Sequence, residues 1–288
     1  MQVRSLKKEL EKAKKGGYAV PAFNFNDIWE VEGIIAAAEE LRAPVILEIV
    51  PRALNCLDRD VITAMVHSAT KKASVPVFLH LDHCPDVQYC KDCVDLGFDM
   101  VMIDASTLPL EENIGAIKEV ADYAHARDVL VEGELGAVKN NMQSDEEGSH
   151  TCTADDGIIQ TSEAVRLVHE TGVDLLAVGI GTAHGFYKGT PKLRFDRLSE
   201  VNDALGIPLV LHGGTGIPVE DIHKALTMGI CKMNIGANIR FAYVSSLMDT
   251  LSKAKPTDHP LDIHAKARDS IKKAAMEGIL SQKADNRV

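Results

Sequence analysis

Three histidines in this chain, His83, His184 and His212, have the type and spacing to hold a catalytic metal. They sit in His80-Leu81-Asp82-His83, Gly181-Thr182-Ala183-His184-Gly185 and Leu211-His212-Gly213-Gly214-Thr215-Gly216, each closing a short apolar run. Three imidazoles meeting at strand ends are the ligand set of a catalytic zinc with an open fourth position, whereas a structural zinc closes its shell, usually with cysteines. The Cys90-x-x-Cys93 pair has no second pair to complete such a shell. A lone histidine after a strand is ordinarily a buried core residue. Three of them, each beside a glycine or a carboxylate, point to a metal enzyme.

Such residues need elements that end at one place. Runs rich in valine, isoleucine and leucine predict strands at Ala19–Phe25, Pro44–Val50, Val75–Leu81, Met100–Asp104, Val129–Glu134, Leu175–Ile180, Ile207–Leu211 and Ile230–Ile235. They are mostly continuous rather than alternating, the pattern of parallel strands buried on both faces. Amphipathic patterns lie between them, among others Asp27–Leu41, Asp58–Ala73, Leu110–Arg127 and Val219–Met228. Leu96-Gly97, Thr171-Gly172 and Met228-Gly229 mark stops before strands. This alternation predicts a (β/α)8 TIM barrel, with a doubly wound open sheet as its competitor. Polar residues recur at the carboxyl ends of the runs: Asn24 and Asn26, Asp82 and His83, Asp104, Glu132 and Glu134, His184, His212 and Asn234. One barrel rim gathers these positions around a single site, while an open sheet would spread them along an edge. Residues 1–288 are expected to form one domain. Lys139–Ile159 reads as a long polar connection, the kind that serves as a mobile active-site loop. From Thr257 onward a C-terminal helical extension is expected, with Gln282–Val288 frayed.

Composition narrows the partners. A formal net charge of −11 and 25% charged residues argue against holding nucleic acid by general attraction. A phosphorylated metabolite remains compatible, because a local metal and backbone donors outweigh the global field. The six cysteines follow no secreted-framework spacing, and Cys90-Lys91-Asp92-Cys93 falls in a helical pattern without partners for zinc or redox use. The first ten residues contain no apolar export segment, and no apolar stretch is long enough for a bilayer. The cytoplasm is the expected compartment, with no membrane partner.

Longer motifs carry a resemblance. Gly17-Tyr18-Ala19-Val20-Pro21-Ala22-Phe23-Asn24, the His-Leu-Asp-His segment, Met102-Ile103-Asp104-Ala105-Ser106, Leu108-Pro109-Leu110-Glu111-Glu112-Asn113-Ile114, Val131-Glu132-Gly133-Glu134-Leu135-Gly136, Ala177-Val178-Gly179-Ile180-Gly181-Thr182-Ala183-His184-Gly185, His212-Gly213-Gly214-Thr215-Gly216 and Lys232-Met233-Asn234 occur in this order. Together they resemble the class II, zinc-dependent ketose-bisphosphate aldolases of the fructose and tagatose type, over essentially the whole length. The resemblance implies reversible cleavage of a phosphorylated ketose to dihydroxyacetone phosphate (DHAP) and an aldehyde. It implies His83, His184 and His212 as zinc ligands, the zinc acting as a Lewis acid toward the enediolate charge left by cleavage. Asp82 is then placed to take and return the C4 hydroxyl proton, with orientation of a histidine as its alternative role. Asp104 and Glu134 match carboxylates of a second divalent position; a buried ion-pair network is the competing reading. Asn234, and more weakly Asn24, match residues that steady the DHAP portion. Gly185, Gly213, Gly214 and Thr215 form glycine-rich turns suited to phosphate, Lys188 adds a charge, and a monovalent cation, Na+ or K+, is expected there.

Three segments depart from that family's pattern. The connection after strand five, Lys139-Asn140-Asn141-Met142-Gln143-Ser144-Asp145-Glu146-Glu147-Gly148, lacks the family's paired glycines before the acid that deprotonates DHAP. Glu146 and Glu147 are the candidates for it, against the default of a solvated acidic run. Ala237 stands where relatives usually carry a threonine, one hydroxyl donor fewer, worth roughly 1 kcal/mol. Glu48-Ile49-Val50-Pro51-Arg52 replaces a small, serine-bearing segment, and Arg52 can pair bidentately with a phosphate or carboxylate at the far end of a substrate. The substrate is thus a ketose 1,6-bisphosphate or a related ketose 1-phosphate. A Schiff-base aldolase would use a lysine at a strand end, for which Lys232 is the nearest candidate. Other rivals are a different metal-dependent barrel enzyme, a hydrolase or epimerase, and a non-catalytic accessory subunit of an aldolase. A homodimer or homotetramer joined through the C-terminal helices is expected, and an accessory subunit is a further partner.

Overall fold

The computed structural model of the protein describes residues 5–136, 138–140, 157–187 and 189–288. Its elements run α1 (Leu6–Gly16), β1 (Val20–Asn24), α2 (Ile28–Leu41), β2 (Val45–Ile49), α3 (Pro51–Leu54), α4 (Arg59–Lys72), β3 (Val77–Cys84), α5 (Val87–Asp95), β4 (Met100–Ile103) and α6 (Leu110–His125). They continue with β5 (Leu130–Leu135), β6 (Lys139–Asn140), α7 (Thr161–Thr171), β7 (Leu175–Val178), β8 (Ala183–His184), α8 (Phe195–Leu205), β9 (Leu209–Leu211), α9 (Val219–Leu226), β10 (Ile230–Ile235), α10 (Ala237–Lys253) and α11 (Pro260–Ser281).

Apolar strand residues are buried on both faces, and their parallel pairing closes the sheet in the order β1-β10-β9-β7-β5-β4-β3-β2. This is the eight-stranded barrel expected from the run-and-helix alternation, and the open sheet is excluded by the β1–β2 and β1–β10 pairs. Helix starts follow local chemistry: the Asp27 carboxylate accepts the Trp29 and Glu30 N–H groups, and Asp58 caps α4 in the same way. Two further short strands, β6 and β8, pair with each other above the ring, Asn140 beside His184.

α11 packs on α2 and α10. A Cβ at Gly33 would lie 2.8 Å from Ile271 Cγ2 and 3.0 Å from the Arg268 carbonyl, so glycine lets α2 and α11 approach. The helical extension is as expected, but its end does not fray. Gln282 and Ala284 are fully buried, the Asn286 N–H donates to Leu41 O, and Arg42 Nη2 donates to Val288 O at 2.8 Å. The polar composition of 282–288 concealed this, because the segment is held by backbone hydrogen bonds to the end of α2. Among the described residues no helix is long and apolar enough to cross a membrane.

Candidate active site

β3 and β9 stand diametrically opposite in the ring, so His83 and His212 point at each other across its mouth. His83 Nε2 and His212 Nδ1 are 2.9 Å apart, and the His184 ring lies edge-on to both, with centroids 4.7 and 5.8 Å away. Each outer nitrogen is already committed. His83 Nδ1 bonds Asp104 Oδ2 at 2.7 Å, and His212 Nε2 bonds Glu132 Oε1 at 2.8 Å. A carboxylate accepts only, so these outer nitrogens carry protons, and across the mouth His83 Nε2 donates to the His212 Nδ1 lone pair, a proton that a bound cation would replace. His83 holds this pose at φ 46°, a left-handed backbone that a non-glycine residue adopts only where surroundings enforce it.

The cluster fits a divalent cation. Donor atoms of His83, His184 and His212 fall within 4.8 Å of one another, as do those of His83, Asp104 and Glu134. Burial and the neighbouring His83 hold His184 down at about 4, and burial, His83 and Lys232 push His212 well below its ordinary value. Both are therefore neutral, the form that ligates a metal. Burial also disfavours a charge on His83, but Asp82, Asp104 and Glu134 outweigh it and raise that imidazole to about 10. The surroundings thus demand positive charge at this point. Burial raises Glu134 to about 8, and its Oε2 is buried without a hydrogen-bond partner. These are properties of a site arranged for a cation.

Asp82 lies on the floor beside His83. Its Oδ2 accepts Asn24 Nδ2 at 2.9 Å and its Oδ1 accepts Asn234 Nδ2 at 3.2 Å. Burial opposes its charge, yet His83, His212, Lys232 and Asn24 together keep its carboxyl below the usual range. Asn24 and Asn234, read as substrate contacts in the sequence, therefore also aim this carboxylate. Asn234 Oδ1 in turn accepts from Lys232 Nζ at 2.7 Å.

Lys232 is fully buried, with its ammonium 2.9 Å from Glu132 Oε2 and 3.6 Å from Glu48 Oε2. Burial favours the neutral amine, but Glu132, Glu48 and Asp82 outweigh it and raise its pKa. A Schiff-base lysine needs the free amine near neutral pH; Lys232 is held as a cation and is sealed from the cavity. Its place is under the site, where it partners the carboxylate that orients His212.

A cavity of about 920 Å³ opens above the cluster and reaches from Gly185, Gly213 and Thr215 to Arg52. Gly213 has φ 67°, and a Cβ there would lie 2.4 Å from the Ala183 carbonyl, so only glycine allows the His212 and His184 turns to touch. Tyr187, which the sequence did not single out, ties them further: its Oη accepts the Ala183 N–H and donates to Gly213 O, both at 2.9 Å. Gly214 adjoins the same turn, its N–H donating to Asn234 O at 3.1 Å. Arg52 is exposed on the opposite lip, with no hydrogen bond or ion pair among the described residues. Lys188, Glu146 and Glu147 lie outside the described residues.

Glu132 and Lys232 were visible only as a strand-end acid and an apolar-run lysine. Glu132-x-Glu134 and Lys232-x-Asn234 each place two polar residues on one face of a strand, a signal that they face the barrel interior but not of which partner they meet. Ala237, in place of the expected threonine, is buried at the start of α10 beside this cavity.

Comparison with known proteins agrees with this geometry. The family model described as "Fructose-bisphosphate aldolase class-II" matches residues 4–287. The chain is 40% identical to a fructose-bisphosphate aldolase of Geobacillus stearothermophilus, over 94% of each sequence. It is 38% identical to one of Staphylococcus aureus, over 100% of this chain and 99% of the relative. Among solved structures it is similar to the YdjI aldolase of Escherichia coli, with TM-score 0.83 and 29% identity over 98% of both chains. It is also similar to a putative fructose-1,6-biphosphate aldolase of Coccidioides immitis, with TM-score 0.86 and 26% identity over 100% of this chain and 99% of that one. The chain belongs to the class II fructose-bisphosphate aldolase family, whose members are carbon–carbon lyases.

Proposed function

We propose that the cavity binds a ketose 1,6-bisphosphate of the fructose or tagatose type, or a related ketose 1-phosphate, and cleaves it between C3 and C4 to DHAP and an aldehyde. The observation that carries this reading is the convergence of His83 Nε2 and His212 Nδ1 from opposed strands, with the doubly anchored Asp82 beside them. His83, His184 and His212 would hold the zinc, which supplies Lewis-acid stabilisation of the charge left on the DHAP fragment. Asp82 accepts the C4 hydroxyl proton as the C3–C4 bond breaks, and the bonding pair stays on C3. Asn24 and Asn234 keep the Asp82 carboxylate facing that hydroxyl. The turns at Gly185, Gly213 and Thr215, with Lys188, bind the 1-phosphate through backbone N–H groups, Gly214 holding the turn in place through its own N–H to Asn234 O, and Arg52 pairs with an anionic far end. Glu146 or Glu147 returns a proton to C3. Asp104 and Glu134 offer a second divalent position with His83, and the phosphate turns a monovalent cation site.

The molecule acts as one domain in the cytoplasm. Copies associate as a homodimer or homotetramer through the exposed face of α10, where Phe241, Val244, Met248 and Leu251 form one apolar stripe. An accessory subunit is compatible with the same surface.

Solvent exchange of the DHAP C3 proton, followed by NMR in D₂O with zinc-loaded protein, tests the chemistry without knowledge of the aldehyde. Exchange by the intact protein and its loss in His212→Ala are expected. No exchange despite bound zinc and DHAP would favour another metal-barrel reaction or a silent subunit.

A further inference from the structure

We infer that Asn26 and Glu30 form a hydroxyl-recognising subsite for the aldehyde-derived half of the substrate, an inference that rests on the aldolase reading above. The cavity, at about 920 Å³, is far larger than a three-carbon phosphate fills. Its two ends are set by the ring: β7, which leads to Gly185, stands diametrically opposite β2, which leads to Arg52. A ketose anchored by its 1-phosphate at the glycine turns crosses the histidines and brings its other end to the tips of β1 and β2. Those strands are paired neighbours, so Asn26 and Arg52 share that lip.

Glu30 borders the cavity yet is fully buried. Its Oε2 accepts the Asn26 backbone N–H at 2.5 Å and Asn26 Nδ2 at 3.0 Å. A carboxylate offers no proton, so the amide nitrogen must face Glu30 and the amide oxygen must face away. Asn26 is itself exposed. Its Oδ1 therefore stands at the cavity as an acceptor of fixed direction. Helix capping does not require this arrangement, because Asp27 already accepts the Trp29 and Glu30 N–H groups at 2.8 and 3.1 Å. An oriented acceptor on the same lip as an uncommitted guanidinium suits a hydroxyl-bearing chain that ends in an anion. A chain that covers Oδ1 without bringing the hydroxyl would displace water there and give it no donor in return.

Burial raises the Glu30 carboxyl to about 7 against the opposing Asn26 hydrogen bonds, so the test is run above that pH. Condensation of DHAP with glyceraldehyde 3-phosphate is compared with condensation with 3-oxopropyl phosphate, which lacks the hydroxyl beside the aldehyde. The ratio of the two kcat/KM values is read for each protein. Wild type should favour the hydroxylated acceptor by roughly 3- to 10-fold, the scale of one neutral hydrogen bond. Asn26→Ala should bring the ratio to about 1, and Glu30→Gln, which lets the amide turn, should fall between. A merely structural role would change both rates together and leave the ratio alone. Equal acceptor use by wild type, or an unchanged ratio in both variants, overturns the subsite while DHAP exchange still stands. Failure of wild type to exchange DHAP removes the aldolase reading and the subsite with it.

Discussion

Glu132 decides which nitrogen of His212 faces His83, although it never reaches the cavity itself. By accepting from Nε2 at 2.8 Å it leaves Nδ1 as the lone-pair donor, and Lys232 Nζ lies 2.9 Å from the other oxygen of that carboxylate. Asp104 does the same for His83, with Ser106 Oγ fixing its other oxygen at 2.7 Å. Glu132→Gln keeps the volume but lets an amide N–H meet Nε2, which allows the wrong tautomer. Zinc affinity should fall by about 10- to 100-fold, read by competition with a chromogenic chelator; unchanged affinity would show that the tautomer is set elsewhere. At this scale the convergence of His83, His184, His212 and Asp82 was legible in the sequence, because three imidazoles, each beside a glycine or a carboxylate, end separate apolar runs that one barrel rim gathers. Glu132 and Lys232 were not legible as orienting groups. A buried ion pair is defined by which strands oppose one another, and neither residue carries that in its neighbours.

At the scale of elements, the turn after β9 is where packing and chemistry meet most closely. Gly213→Ala would force a Cβ against the Ala183 carbonyl at a left-handed φ. The backbone strain alone costs about 1–2 kcal/mol, and the displaced turn carries both His212 and the proposed phosphate donors. A lower thermal midpoint and a raised KM for the phosphorylated substrate are expected; wild-type values for both would show that the turn relaxes freely. The eight barrel strands were legible because each is a continuous apolar run longer than its turn signals. β6 and β8 were not, since two residues each hold no periodicity and their pairing is a tertiary contact. The order of Gln282–Val288 was hidden for the same reason: its hydrogen bonds go to Leu41 and Arg42, far away in the chain.

For the whole molecule, the exposed stripe on α10 is the feature a single copy does not explain. Phe241 and Met248 are 62% and 68% exposed on a helix that otherwise packs on α11. Phe186, next to the Gly185 turn, lies edge-on to Phe241 at 5.6 Å, so a partner seated there would border the cavity. Exposed apolar groups in a row at helical spacing suit the association proposed above. Met248→Glu should shift the protein toward monomer in sedimentation velocity while leaving zinc content unchanged; a wild-type protein that is already monomeric would remove this interface.

Residue types and their order along the chain determined the alternation of strand and helix, the barrel, the gathering of three histidines and the reaction class. Each of these depends on local pattern, namely the burial of continuous apolar runs and the presence of imidazoles at their ends. The tertiary structure alone decided which carboxylate partners which imidazole, that Lys232 is a buried cation, that the tail docks on α2, and that Asn26 gives its amide nitrogen to Glu30. Those facts depend on closure of the ring, which brings opposed strands within hydrogen-bonding distance, and no stretch of sequence records a distance between strands.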